Sequence, residues 1–238
     1  MKKWATSHPQ SEAAQIALAL TYLSYGSFAR GSGYANTVSD SGWKKFHDCT
    51  AQGKAVLLDA AKLPEKDPFW YEAMQGVALD EGWDKADARE LFDQAIAFEP
   101  GYYHYYREYG NFLLPKWYGE EGDTQAFAEE ITAKLPEPQG SILYFEIASL
   151  LACQCDPQRD TLAGLSWPRI KQGYTNLKNL YGTTNLKANR FAYMSYAAGD
   201  KSAARDAFQF IGDAAHHDVW HSQEDFNEVR SWALADSR

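Results

Sequence analysis

The sequence contains few cysteines. Cys49, Cys153 and Cys155 form a sparse and odd-numbered set, which excludes a disulfide framework and is typical of a reducing cytoplasm. A single residue separates Cys153 from Cys155, and no second pair exists to complete a zinc knuckle. We therefore expect both thiols to be packed in the interior.

Long apolar runs are also absent. No stretch approaches the roughly 20 apolar residues of a membrane span. The charged start Met1-Lys2-Lys3 resembles that of a secretory signal, but polar residues follow it where an apolar core is needed. We therefore predict a cytoplasmic protein with no membrane partner.

Positive charge is scarce as well. The chain has 23 Lys and Arg against 32 Asp and Glu, which gives a formal net charge of -9. An acidic surface repels phosphate backbones, so we expect no nucleic acid partner, and it attracts a basic protein. Aromatic residues make up 15% of the sequence, and we expect most of these rings to lie between helices.

A catalytic constellation is the last absence. The sequence shows no Ser-His-Asp or Cys-His arrangement, and acidic pairs such as Glu120-Glu121 and Glu129-Glu130 are typical of solvated helix faces. We therefore predict a non-enzymatic protein without a cofactor.

Hydrophobic periodicity predicts an all-α protein of about 10–11 helices, since few segments alternate with a period of two. Ser11 is placed to cap a helix that runs to about Arg30. A second helix is expected from about Trp43 to Leu63. A last helix over about 222–234 carries a buried stripe and would cap the array.

Residues 68–100 carry the pattern of a helical repeat. The pattern requires small residues at three positions, an aromatic residue at one and a helix-ending residue at the last. The small residues are Gly76, Ala88 and Ala95, the aromatic residue is Phe92, and Pro100 ends the helix. Gly110 follows Gly76 at a spacing of 34, the length of one tetratricopeptide (TPR) unit. The segment resembles such a unit, and the resemblance implies a right-handed α-solenoid of antiparallel helix pairs over 1–238 as a single domain. We expect Gly76 to approach the next helix closely near Ala88.

Three further motifs resemble one bacterial family of TPR-like helical proteins, catalogued only as a domain of unknown function. They are RGSGYANTV, the pair Gly42-Trp43, and NFLLPKWYG. The similarity spans roughly residues 4–130, and 140–238 holds the C-terminal repeats and the capping helix. The family implies the fold and brings no catalytic residues.

In a TPR array the first helix of each pair lines a concave groove, so the repeat register predicts which residues line it. Arg107 and Asn111 lie four apart and share a helix face, as in part of the clamp by which some TPR proteins hold a peptide carboxylate. Asp80 and Glu81 would repel that carboxylate. The predicted groove residues are Trp70, His104, Arg107, Asn111, Asn189, Tyr193 and Tyr196.

The connection over 30–42 has two interpretations. As a binding loop, it would bring backbone amides, Arg30, Ser32 and Tyr34 to a ligand. As a structural feature, Gly31 would end the first helix in a left-handed conformation. Lys116 and Trp117 lie in a second interruption of the helical pattern. They either contact a partner or pack over the gap that an inserted segment makes between helices.

The only histidine cluster is 216–221. His217 and His221 would share a helix face, and Asp225 follows four residues later, which would suit a facultative zinc site. The alternative is a polar turn between helices, which we favour, so we predict no metal.

The sequence therefore predicts a scaffold that binds a protein or peptide, and the acidic charge of the chain is compatible with a basic partner. Two alternatives stay open. One is an immunity protein that neutralises a basic toxin. The other is an enzyme or metal-binding protein that uses the 30–42 loop or the 216–221 cluster. The sequence does not indicate an oligomeric state.

Overall fold

The computed structural model describes residues 1–64, 67–152 and 162–235, and Cys153 and Cys155 lie outside them. Within these ranges the chain forms twelve α-helices and no strand, so the all-α prediction is confirmed. The helices are α1 Lys2–Ser7, α2 Glu12–Arg30, α3 Asp40–Ala60, α4 Pro68–Glu81, α5 Lys85–Phe98, α6 His104–Phe112, α7 Asp123–Lys134, α8 Gln139–Ala148, α9 Trp167–Tyr181, α10 Asn185–Ala197, α11 Lys201–Ile211 and α12 Gln223–Leu234.

The helices form two compact units, Met1–Gly119 (unit 1) and Glu120–Arg238 (unit 2). The single array expected over 1–238 stays a prediction. None of the helices in the described ranges has the length and apolar character needed to cross a membrane.

The first two long helices of unit 1 form a tightly packed hairpin. Ser11 caps α2 as predicted, and its hydroxyl accepts a hydrogen bond from the Ala14 amide. Helix α3 begins at Asp40 and not near Trp43, because the Ser39 hydroxyl caps it. A Cβ added at Gly26 would lie 3.0 Å from the Cβ of Cys49, so glycine allows the close approach of the two helices.

Helix α4 packs against this hairpin and against α5 and α6. The shared core contains Ile16, Ala19, Leu23, Leu57, Ala73, Met74, Val77, Ala78 and Leu91. Phe92 of α5 is fully buried, and its ring stacks on Tyr109 of α6 at 4.9 Å. The close helix contact predicted at Gly76 is wrong: a Cβ added there would meet nothing within 4 Å. Gly76 faces open space.

Unit 2 is built around α8, nine of whose ten residues are buried. Helix α9 packs so closely on it that a Cβ at Gly173 would collide with the Ser141 carbonyl oxygen. The rings of Tyr174 and Phe191 stack at 3.9 Å and join α9 to α10. The last helix, α12, begins after its cap Ser222, close to the start predicted for it, and buries Phe226, Val229 and Ala233.

Candidate functional site

A polar stripe runs along α6 in unit 1. His104, Arg107, Glu108 and Asn111 follow the i, i+3, i+4, i+7 spacing of one helix face, and none of them is fully buried. The opposite face buries Tyr105, Tyr106, Tyr109 and Phe112. Three residues of the predicted groove therefore share this exposed face.

A second stripe lies on α4, which packs against α6. Glu72, Gly76 and Asp80 are spaced four apart, so they follow one another along the same side of the helix. Because Gly76 has no side chain and faces open space, the two carboxyls flank a gap. We call these three residues and the stripe on α6 the α4–α6 face.

Glu72 connects the two helices at one end of this face. The Tyr102 hydroxyl donates a hydrogen bond of 2.5 Å to Glu72 Oε2, and His104 Nδ1 lies 3.7 Å from Oε1. Burial, followed by the Glu72 charge, raises the pKa of the Tyr102 hydroxyl. Tyr102 therefore stays protonated and remains a donor.

The cost of burying the Glu108 carboxyl is only partly compensated by nearby positive charge. Burial raises the pKa of its carboxyl, and the negative charge of Glu72 raises it further. The positive charges of Arg107 and His104 oppose the shift without cancelling it. Removal from water therefore outweighs the attraction of the nearby cations.

Asp80 is the most strongly shifted carboxyl of the face. Burial raises its pKa to about 6, against the lowering effects of the Thr50 hydroxyl and the Arg30 charge. The Arg30 guanidinium donates to the carbonyl oxygens of Gly31 and Gly33 at 3.1 and 3.3 Å. Arg30 therefore directs these hydrogen bonds to the loop and influences Asp80 only through its charge.

Tyr118 lies beside Asp80 at the end of α4. Gly82 ends this helix with φ +68°, and a Cβ there would lie 2.9 Å from the Tyr118 hydroxyl. Burial and the negative charge of Asp80 together raise the pKa of Tyr118. A phenol thus lies near one end of the α4–α6 face.

The neighbouring carboxyl, Glu81, shows the opposite situation. Its Oε2 lies 2.6 Å from the Lys54 ammonium and accepts a hydrogen bond of 2.9 Å from the Trp83 indole. Glu81 is thus paired within the fold, whereas Asp80 is not fully neutralised. Carboxyls with raised pKa values are characteristic of functional sites, because a bound cation would relieve the cost of their burial.

The other predicted residues of unit 1 lie elsewhere. The Trp70 indole donates a hydrogen bond of 2.8 Å to the Leu57 carbonyl and so fastens α4 to α3. Lys116 lies 5.9 Å from the Trp117 ring, in the turn that follows α6. Trp117 is 41% exposed.

The loop between α2 and α3 spans residues 31–39, which is shorter than the predicted 30–42. Gly31 has φ +81°, and its amide donates hydrogen bonds to carbonyl oxygens in the last turn of α2. Gly31 thus ends the helix, as expected if the loop is a structural feature. The Arg30 guanidinium lies 5.0 Å from the Trp43 ring. Ser32 is exposed and Tyr34 is 85% exposed, so the loop leaves two predicted side chains open to solvent.

The groove residues predicted in unit 2 lie largely inside it. Asn189 is fully buried; its amide donates to the Ala214 carbonyl, and its oxygen accepts 2.6 Å from the Trp220 indole. Tyr193 is 8% exposed and meets the Trp220 ring edge-on at 5.7 Å. Tyr196 is 36% exposed. Only Tyr196 is accessible in this structure.

The histidine cluster forms a turn between helices, as the favoured interpretation expects, and the alternative in which His217 and His221 share a helix face is wrong. Helix α11 ends at Ile211, and α12 begins only at Gln223. Asp225 accepts a hydrogen bond of 2.7 Å from Ser222 at that start. The donor atoms that do lie within 4.8 Å of one another belong to His216, His217 and Asp218.

Comparison of the chain with protein-family models, curated proteins and solved structures gives no match.

Proposed function

We propose that the chain is a non-enzymatic, TPR-like helical scaffold whose α4–α6 face binds a basic segment of another protein. The observation that supports this proposal best is the pair of under-neutralised carboxyls, Asp80 on α4 and Glu108 on α6, carried by two helices that pack together. A lysine or arginine of the partner would supply the missing positive charge.

The space above Gly76 suits an extended peptide. A backbone can approach α4 there without meeting a side chain, and Glu72 and Asp80 lie one turn to either side. Asn111 offers both an amide donor and a carbonyl acceptor on α6, which is how grooves of this kind recognise peptide backbones. The basic side chains of the peptide would thus determine which peptides bind, and the lack of a side chain at Gly76 would let the peptide backbone reach α4.

The arrangement of the helices supports a TPR-like array in unit 1. Helix α4 packs against α5 and also against α6, as the first helix of one pair does with its partner and with the next pair. The 34-residue spacing from Gly76 to Gly110 matches the length of one unit, although Gly76 does not make the close helix contact expected of it. A right-handed solenoid remains part of the proposal.

Titration of labelled peptides tests the site. Fluorescein-labelled short peptides with spaced lysines and arginines, and isomers with glutamate in their place, would be followed by fluorescence anisotropy. We expect Asp80→Asn and Glu108→Gln each to weaken binding of the basic peptides by about tenfold. Glu81→Gln is the matched control, because Lys54 already neutralises that carboxyl.

Two outcomes would count against the proposal. One is equal binding of basic and acidic peptides by the wild type. The other is an equal loss in Asp80→Asn and Glu81→Gln, since that would indicate a general charge effect and not a site.

A basic toxin is a second candidate partner, favoured by the net charge of -9 together with the acidic α4–α6 face. The chain would then act as an immunity protein. Co-expression with a toxin encoded beside it should restore growth, and Asp80→Asn should reduce that protection. If the Asp80→Asn variant still protects the cells fully against the toxin, the α4–α6 face is not the surface that binds the toxin.

A further inference from the structure

Helix α2 presents an uncharged face to solvent. Seven of its exposed and half-exposed residues follow one side of the helix: Ala13, Ala17, Leu20, Thr21, Ser24, Tyr25 and Phe28. We call this set the α2 face. Tyr25 is 52% exposed and Phe28 is 81% exposed, so two large rings lie in water. The opposite side of α2 packs in the core of unit 1.

The lack of charge on this face is unusual for a surface helix. The 17 residues between Glu12 and Arg30 include no charged side chain. Helix α3, the other half of the same hairpin, exposes Lys44 and Asp48 on its outer side. Surface helices normally carry charged residues on the solvent side, and a larger exposed apolar patch often marks an interaction site.

The shape of the face suits a second helix. A shallow depression is lined by Ala17, Leu20, Thr21, Ser24 and Tyr25. The small residues at 17, 21 and 24 would allow another helix to approach. Tyr25 and Phe28 supply exposed apolar anchors, and Leu20, which also packs against the core, offers its half-exposed side. Anchors at spacings of three to five residues match the way an amphipathic helix is bound.

Positive charge flanks the α2 face. The Lys2 ammonium lies 5.4 Å from the Tyr22 ring, and the Lys45 ammonium lies 5.2 Å from the Tyr25 ring. Residues 1–63 contain seven Lys and Arg against four Asp and Glu, although the whole chain is acidic. The flanks therefore favour acidic residues on the partner, and they disfavour a second copy, which would bring lysines against lysines.

We propose that the α2 face docks an amphipathic helix of a partner protein whose apolar stripe is flanked by Asp and Glu. This surface shares no residue with the α4–α6 face, so it is independent of the function proposed above. Leu20, Tyr25 and Phe28 supply the apolar contacts, and Lys2 and Lys45 select the charge of the partner.

A pair of designed helical peptides provides the probe. One carries a leucine and alanine stripe flanked by glutamates, and its isomer carries lysines in their place. Their binding to the full chain would be measured by fluorescence anisotropy. We expect the glutamate peptide to bind about tenfold more tightly than its isomer, Phe28→Ala to weaken it about tenfold, and Lys45→Glu to abolish the preference. Phe210→Ala is the matched control, because Phe210 is 51% exposed in unit 2.

Phe28 and Lys45 are solvent-exposed, so the variants should fold, and circular dichroism would verify this. The proposal fails if neither peptide binds, if the two bind equally, or if Phe28→Ala binds like the wild type. It also fails if sedimentation shows a dimer that Phe28→Ala dissociates, since a second copy would then occupy the face. Sedimentation of the wild type, but not Phe28→Ala, with phosphatidylserine vesicles would assign the face to lipid instead.

Discussion

The two units treat their buried carboxyls differently. In unit 2, Glu146 is buried and lies 2.5 Å from the Lys187 ammonium. In unit 1, Asp80 and Glu108 are partly buried and their pKa values are raised. A paired carboxylate is compatible with a purely structural role, whereas an under-neutralised one costs stability that the fold alone does not require. This difference is why we place the proposed binding function in unit 1.

Asp200 of unit 2 sharpens the comparison. Burial acts to raise its pKa, but the Lys171 ammonium at 2.8 Å and hydrogen bonds from the Ala203 amide and the Trp167 indole lower it below the usual value. Asp200 also caps α11. Desolvation of a carboxyl is thus overcome where cations and amides converge, and it is not overcome at Asp80.

The largest expected effect comes from breaking the buried pair of unit 2. Lys187→Ala leaves Glu146 buried without this cation, and the cost should be about 3–5 kcal/mol of unfolding free energy. Urea denaturation would measure it, with Lys62→Ala as the control, because Lys62 and its partner Asp59 are exposed. A loss similar to that of the control would show that this pair is not structural.

Two glycines make the next test. A Cβ at Gly173 collides with the Ser141 carbonyl, so Gly173→Ala should destabilise the protein by about 1–3 kcal/mol. Gly76→Ala meets open space inside a helix and should stabilise it by about 0.5–1 kcal/mol. Thermal unfolding compares both variants with the wild type. If Gly76→Ala destabilises the protein, other atoms must occupy the space above Gly76, and the α4–α6 face would have no gap for a peptide.

Asp80→Asn should stabilise the fold while weakening peptide binding. The folded pKa of about 6 lies above the usual 3.8, so the stability associated with the protonated carboxyl is complete below pH 3.8 and is lost as the pH rises through 6. Asparagine removes this loss, and we expect a gain of about 1 kcal/mol near pH 7, discounted for partial exposure. Chemical denaturation across this pH range would measure it. A gain that does not depend on pH would exclude Asp80 as its source.

The smallest predicted effect is the pH dependence of peptide binding. A bound lysine favours the ionised Asp80, so affinity for a basic peptide should fall about threefold to tenfold between about pH 7.5 and about pH 5. Calorimetry on the wild type and Asp80→Asn would measure the difference. An equal slope in both proteins would mean that another group titrates.

Local signals predicted much of the fold. Ser11 caps the helix that it was predicted to cap, because capping depends on the residue itself and its immediate neighbours. The start of α3 was misplaced because serines, aspartate and glycine over 39–42 also read as a turn. Gly212, with φ +60°, ends α11 and leaves the histidines in the turn that was favoured over a shared helix face.

The α4–α6 face was predicted only in part. Register placed His104, Arg107 and Asn111 on one stripe, and they do share it. Glu72 and Glu108 were missed because an acidic residue on an amphipathic helix reads as solvated, and desolvation depends on the neighbouring helix. The i, i+4 spacing of His104 and Glu108 was the available signal. Asn189 and Tyr193 were placed by the same register, but the structure packs Trp220 against them.

The burial of nine consecutive residues of α8 has a consequence for how unit 2 opens. Local fraying cannot bring solvent to amides of residues that are buried on every side of a helix, so their hydrogens should exchange only when the unit unfolds as a whole. The slowest deuterium uptake along 140–148 should therefore report the global free energy of unit 2.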